Sequence, residues 1–141
     1  MSRLAAALFL LVACCATAAQ AQTSIRSGIE QVRKDFAQKV YEDSAAEINR
    51  DAPQPLLRAV VVLRVRLNEA GRWAAEVMRD NNLEPGLTRK AIASVEHLAM
   101  PANVPEPLVD QLHREGFVEV WLFQNDSHFA LKTLALPQRG L

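Results

Sequence analysis

Cysteine is almost missing from this chain. Its 141 residues hold two, Cys14 and Cys15, adjacent and inside the first apolar run. Such a pair cannot staple a domain, and downstream of it thiol chemistry and Cys-rich zinc sites are excluded. Glycine is scarce at five residues, and none sits in a phosphate-cradling loop or a G-x-S-x-G elbow. The three histidines, His97, His113 and His128, never stand three or four residues apart, so no helical metal pair exists among them. Neither charge sign is in excess, with 16 Lys+Arg against 16 Asp+Glu, which gives no support for a nucleic acid or other polyanion as partner. The longest apolar run, Leu4 to Cys15, falls short of the roughly 17–25 residues a membrane-spanning helix needs.

What is present at the N-terminus has the three parts of a secretory signal. Arg3 is the positive n-region, Leu4 to Cys15 the apolar core, and Ala19-Gln20-Ala21 an A-x-A cleavage site before Gln22. Residues 1–21 are therefore expected to be removed on export to the bacterial periplasm. Loss of Arg3 then leaves a net charge of about −1 with histidines neutral. A second route competes: Leu11-Val12-Ala13-Cys14 resembles the lipobox at which bacterial lipoproteins are cut and lipidated, with Cys14 as the lipid-bearing residue. Only that route would hold the chain to a membrane. The remaining length suits one domain, divided here into 22–55, an amphipathic helix and linker, and 56–141, the α+β body.

Ile25, Ile29, Val32, Phe36 and Val40 recur at helical spacing and predict a helix over 25–50, capped by Ser24, braced by Glu30–Lys34 and Asp35–Lys39 pairs, and stopped at Pro53. Leu57 to Leu67 alternates, with the odd positions apolar and the even positions mixed, which predicts a strand facing the core with its odd residues. Asn68-Glu69-Ala70-Gly71 predicts a type I turn closed by a left-handed glycine. The return strand runs from Arg72 to about Asp80, and 81–86 is a loop. A helix over 85–98 buries Leu87, Ala91, Val95 and Leu98. Leu108 to Arg114 adds a short helical turn. Phe117 to Gln124, apolar on both faces, is a central strand, and Phe129 to Leu136 pairs back after the turn at Gln124-Asn125-Asp126-Ser127. That turn carries a glycosylation sequon, read here only as a turn because the leader is bacterial in type. The expected fold class is α+β: a small antiparallel sheet of two hairpins, an N-terminal amphipathic helix, and a second helix between the hairpins.

No residue set in the sequence meets the geometric demands of catalysis. His113 stands near Glu115, but such close neighbours point in different directions on a helix. Arg58, Arg64 and Arg66 share one strand face and are read as a solvated row pairing with Glu69, Glu76 or Glu119. Trp73 and Trp121 fall in apolar strand patterns and are assigned to the core. The chain is thus expected to be non-enzymatic, with no cofactor and no metal.

Several of these segments together resemble the C-terminal domain of the TonB/TolA class of periplasmic energy transducers. The resemblance rests on the valine-rich Val60 to Leu67, the turn Asn68 to Arg72, Trp73 to Met78, Leu87-Thr88 with Ala91 and Val95, Pro101, and Val118 to Phe123. It covers about half of the chain and consists mainly of structural positions. It departs from the family where Pro53-Gln54-Pro55 and a long helix replace an aromatic–Pro pair. A transducer's retained membrane helix and long Pro-rich spacer are not expected either. The resemblance implies a protein-binding module accessory to envelope transport, in which a sheet edge accepts an extended segment of an outer-membrane receptor. The implied docking residues are Val118, Val120 and Leu122 on the last family strand. Phe129, Leu131 and Thr133 lie on the extra strand, which is expected to occupy that edge in cis. Two other readings stand beside it. One is a small envelope enzyme or ligand carrier with a pocket between the first helix and the sheet, holding His97 or His113 beside a carboxylate. The other is a homodimer formed through a sheet edge.

Overall fold

The computed structural model describes residues 2–80 and 83–138, with side-chain detail from residue 17 onward. In order it has α1 (Ser2–Asp43), a 3₁₀ turn (Ala45–Glu47), β1 (Ala59–Leu67), β2 (Trp73–Arg79), α2 (Pro85–Glu96), α3 (Glu106–Arg114), β3 (Phe117–Phe123) and β4 (Phe129–Leu131). The four strands form one antiparallel sheet in the order β2-β1-β3-β4. The α+β class read from the sequence is the class observed.

Helix α1 begins far upstream of Ser24, which sits mid-helix and caps nothing. No glycine or proline interrupts residues 2–27, and the Ala- and Leu-rich composition favours helix throughout. Residues 17–24 are exposed, and burial starts only with the stripe at Val32, Phe36, Ala37 and Val40. The helix stops at Asp43 rather than near Arg50, because Ile48 leaves to pair with Phe129 and Asn49 N–H donates to Phe129 O (2.7 Å). The pairs along its surface also differ from the expected ones. Arg33 takes Glu30 and Lys39 takes Glu42, both at i,i+3 and 2.7 Å. The lipidation candidate Cys14 lies outside the residues whose side chains are described. Among the described residues no helix is long and apolar enough to cross a membrane.

The sheet buries its odd-numbered residues. Val61, Leu63 and Val65 of β1 and Trp121 and Phe123 of β3 are fully covered. Against them pack Ala91 and Val95 of α2, Leu112 of α3 and Phe36 of α1. Phe36, Trp73 and Phe117 meet edge to face, with ring centroids 5.2–5.7 Å apart, the arrangement that the ring quadrupole favours. Segments 22–55 and 56–141 therefore share one core.

The two hairpins have the same turn. Gly71 N–H returns to Asn68 O and Asn68 N–H to Arg72 O; Ser127 N–H returns to Gln124 O and Gln124 N–H to His128 O. Both fourth positions are left-handed, Gly71 at φ 72° and Ser127 at φ 69°. Ser127 holds that conformation while its hydroxyl accepts from Arg58 (2.7 Å) and its carbonyl from Lys90 (2.9 Å). Asp126 accepts from the His128 N–H (3.0 Å), and that bond is the main cause holding its carboxyl below the ordinary range.

Strand β4 is three residues long, not eight. After Leu131 the chain turns through 132–134, with Ala135 N–H closing on Leu131 O at 2.8 Å. Leu108 to Arg114, expected as a turn, is part of a true helix whose end is set by Gly116. Its N–H joins that of Glu115 on Gln111 O, and its φ of 62° is left-handed. A Cβ there would lie 1.9 Å from Val65 O, because β3 starts its pairing with β1 one residue later. Gly116→Ala is expected to cost about 3 kcal/mol of stability, whereas Gly71→Ala, with open space around it, costs about 1 kcal/mol. Urea unfolding of the two variants measures both.

Candidate functional site

Among the described residues, helices cover one face of the sheet and leave the other uncovered. The other face carries Val60 and Val62 of β1 opposite Leu122 and Val120 of β3, with Arg64 opposite Val118. Val60 and Val118 are 39% and 37% exposed, and Val62, Val120 and Leu122 are half-buried. The result is a branched-aliphatic patch in the middle of an uncovered sheet. Arginines rim it: Arg66 pairs with Glu76 (2.7 Å) across the hairpin, and Arg58 with Glu84 (2.8 Å). The expected arginine row is thus real and largely neutralised, but Glu119 takes no part in it.

The edge beyond β3 is closed in one half and open in the other. β4 covers Trp121 to Phe123. The outer side of β4 is itself covered. Asn49 N–H donates to Phe129 O (2.7 Å), and Leu131 N–H donates to the Tyr41 hydroxyl (3.1 Å). Burial pushes that phenol above its ordinary range; the bond from Leu131 opposes the shift and the Glu119 charge adds to it. Further along, Lys132 N–H donates to Val120 O (2.9 Å), so the even-numbered β3 residues turn their backbone groups toward β4. Val118 is next in that row, and β4 has ended before reaching it.

Glu119 is the reason β4 ends. It stands on the core side of β3 between Phe117 and Trp121 and is 2% exposed. Its Oε1 accepts from Val120 N–H (2.9 Å) and Thr133 N–H (3.3 Å), while Oε2 is buried without a partner among the described residues. The carboxylate takes the place of the next ladder carbonyl and turns the chain away. Beside it a cleft of about 430 Å³ opens between α1 and the end of the β3–β4 pair. Arg33 and Lys34 line it from α1, Val118 from β3, and Lys132 and Thr133 from the turn.

A second cleft, of about 460 Å³, lies between the end of α1 and α2, and His97 lines it with Asp43 and Glu47. This is the histidine-with-carboxylate arrangement that an enzyme or carrier would use. Glu47, however, is engaged by Lys90 (2.7 Å), and burial lowers the Lys90 ammonium against the pull of Asp126. Two hydroxyls, Ser44 and Ser94, also line the cleft; Ser94 donates to Ala91 O (2.7 Å) and accepts from Trp121 Nε1 (3.0 Å). Both of its bonding directions are structural. His113 Nδ1 sits 3.1 Å from Leu67 O, tying α3 to the end of β1. Among the described residues no cluster of three or more His, Cys, Asp or Glu could hold a metal ion.

Of the six residues assigned to partner binding, Val118, Val120 and Leu122 lie together on the uncovered face. Phe129 and Leu131 are fully buried in the core, so their side chains face α1 and the sheet interior and no partner. Thr133 belongs to the turn, because Glu119 ends the strand before it. Sequence reasoning missed Glu119, Arg33, Lys34 and Lys132. For Glu119 the signal was present: its odd number puts a lone carboxylate on the core face of an otherwise apolar strand.

Glu119→Gln keeps an acceptor oxygen and is expected to unfold in urea at nearly the parent midpoint. Glu119→Ala leaves the Val120 and Thr133 N–H groups without their acceptor and is expected to lose about 1–3 kcal/mol.

Compared with known proteins, no family model, no curated protein and no solved structure matches this chain.

Proposed function

We propose that this chain is a non-enzymatic protein-binding module of the bacterial envelope that recognises its partner through the open side of its sheet. The observation that carries this reading is the uncovered aliphatic patch of Val60, Val62, Val118, Val120 and Leu122. An antiparallel sheet covered on one side ordinarily presents polar residues to water on the other. Here the alternation is broken in the middle of both central strands, where an apolar surface rimmed by charge suits a protein partner. The resemblance to TonB/TolA C-terminal domains supports the same reading through its order of hairpin, helix and strand, and it names the partner class: an envelope protein, with an extended segment of an outer-membrane receptor as the leading case. Export through the N-terminal signal, periplasmic location and a role accessory to envelope transport belong to this proposal. Lipid attachment at Cys14 would place the same module at a membrane surface. The small-ligand alternative rests on the His97 cleft. It is the weaker reading, because the groups there are exposed or already bonded.

A photo-activated cross-linker placed at Val60 in the full chain, produced in a bacterium that exports it, tests the reading. The expected outcome is a discrete adduct with an envelope protein, absent when the cross-linker is moved to Glu69 in the first hairpin loop. Adducts only with a second copy of this chain would establish the homodimer instead. No adduct from the patch at all would remove the binding-module reading.

A further inference from the structure

Three places in the fold have groups that its own contacts leave unused: the aliphatic face, the His97 cleft, and the cleft where β4 stops. The face is already part of the proposed function. The His97 cleft has, among the described residues, no buried side-chain polar atom waiting for a partner. The third differs from both.

Lys34 on α1 and Lys132 after β4 come from elements distant in sequence yet line the same opening, and among the described residues neither forms an ion pair. Arg33 lies beside them. Its terminal nitrogen is held by Glu30 (2.7 Å), but its Nε is buried with no hydrogen-bond partner among the described residues. Against these three cations the cleft wall offers one carboxylate, Glu119, already receiving two backbone N–H groups. Val118 lines the cleft from β3; by the parity that turns Val120 O to Lys132 N–H, its amide and carbonyl face the side where β4 has no residue opposite. Cationic side chains beside one free donor–acceptor pair of a strand match an extended peptide bearing an acidic residue: backbone pairs with backbone, and the carboxylate reaches the ammonium groups.

We infer that the cleft at the end of β4 is a recognition subsite for an acidic side chain, Asp or Glu, of an extended peptide segment that pairs with Val118. This rests on the proposed function and adds the chemistry of the partner. Glu119 acts as a positioning residue here. By ending β4 it keeps Val118 free, and by staying buried it leaves the opening to the lysines. Surface charge pairs of this kind contribute modestly to affinity and more to discrimination, since a like charge at the same place is repelled.

Two acetylated and amidated hexapeptides of sequence Thr-Val-Glu-Val-Thr-Val and Thr-Val-Lys-Val-Thr-Val, titrated into the full chain and followed by amide chemical shifts, test the subsite. The glutamate peptide is expected to bind about ten-fold more tightly than the lysine peptide and to shift the amides of Val118 and Thr133. The double variant Lys34→Glu/Lys132→Glu should reverse that preference, with the Trp121 environment unchanged as the check on folding. Lys132→Arg should retain it. Equal binding of the two peptides, shifts confined to β2, or no binding by either overturns the subsite. If Val60 still cross-links an envelope protein in the double variant while the peptides fail to discriminate, the subsite falls and the binding module stands.

Discussion

The contact on which the rest depends is the three-ring knot of Phe36, Trp73 and Phe117. It ties α1, the start of β2 and the start of β3 at one point. Truncating a buried phenylalanine costs about 3–5 kcal/mol, and each edge-to-face pair adds about 0.5–1.5 kcal/mol beyond its buried area. Without it the inner face of the sheet would lose the helix that covers its β3 side. The knot also sets the position of α1 along the sheet. Three residues before Phe36 and two before it, Arg33 and Lys34 are carried to the edge of β3, and four residues after it Val40 and then Tyr41 are carried over β4. Both the cleft and the closure of the β4 edge follow from where those rings meet.

The same packing explains why one face is covered and the other is not. Three helices and a core of alternating strand residues saturate the odd-numbered side, leaving no further element among the described residues to cross the even-numbered side. A sheet edge is a hazard when left long and bare. This chain closes β4 with a backbone bond at Phe129 and a phenol at Leu131, and it breaks the regular pairing of β2 at the Val62/Leu63 register shift. The exposed valines of the face have no such treatment, which makes them the part of the surface that packing does not account for.

Much of the fold was legible because it depends on local rules. The odd-parity core of β1, the Leu87–Ala91–Val95 stripe and the Gly71 turn each follow from spacing and φ requirements, and each is observed. What was not legible depends on contacts between distant segments. Propensity favours helix from Ser2 onward, so periodicity alone could not place its start at Ser24, and only the bridge from Ile48 to Phe129 explains its end. Nothing local in the sequence marks Gly116; the requirement for glycine there comes from Val65 O, which leaves no room for a side chain. The candidate site was half legible: the resemblance pointed to Val118, Val120 and Leu122 and alternation put them on one face, whereas Arg33 and Lys34 reach Val118 only through the packing of α1 and Lys132 only through the turn after β4.

Glu119 shows how a single residue can set both a boundary and a site. By pattern, Phe129, Leu131 and Thr133 continue an alternating strand, and Val118 is positioned to receive its next hydrogen bonds. An apolar residue at 119 would deepen the core and leave nothing to divert the ladder. A carboxylate there must be hydrogen-bonded to be tolerated in the interior, and the N–H groups within reach are those of Val120 and Thr133. Satisfying it removes the Val120 N–H from the ladder and draws Thr133 out of line. The strand stops at Leu131, and Val118, in register with Arg64 on its β1 side, has no β4 residue opposite it. An acid in the core of a small domain lowers stability relative to a well-packed hydrophobe. Its effect here is to keep open a stretch of sheet edge that the chain's own C-terminal segment would otherwise fill.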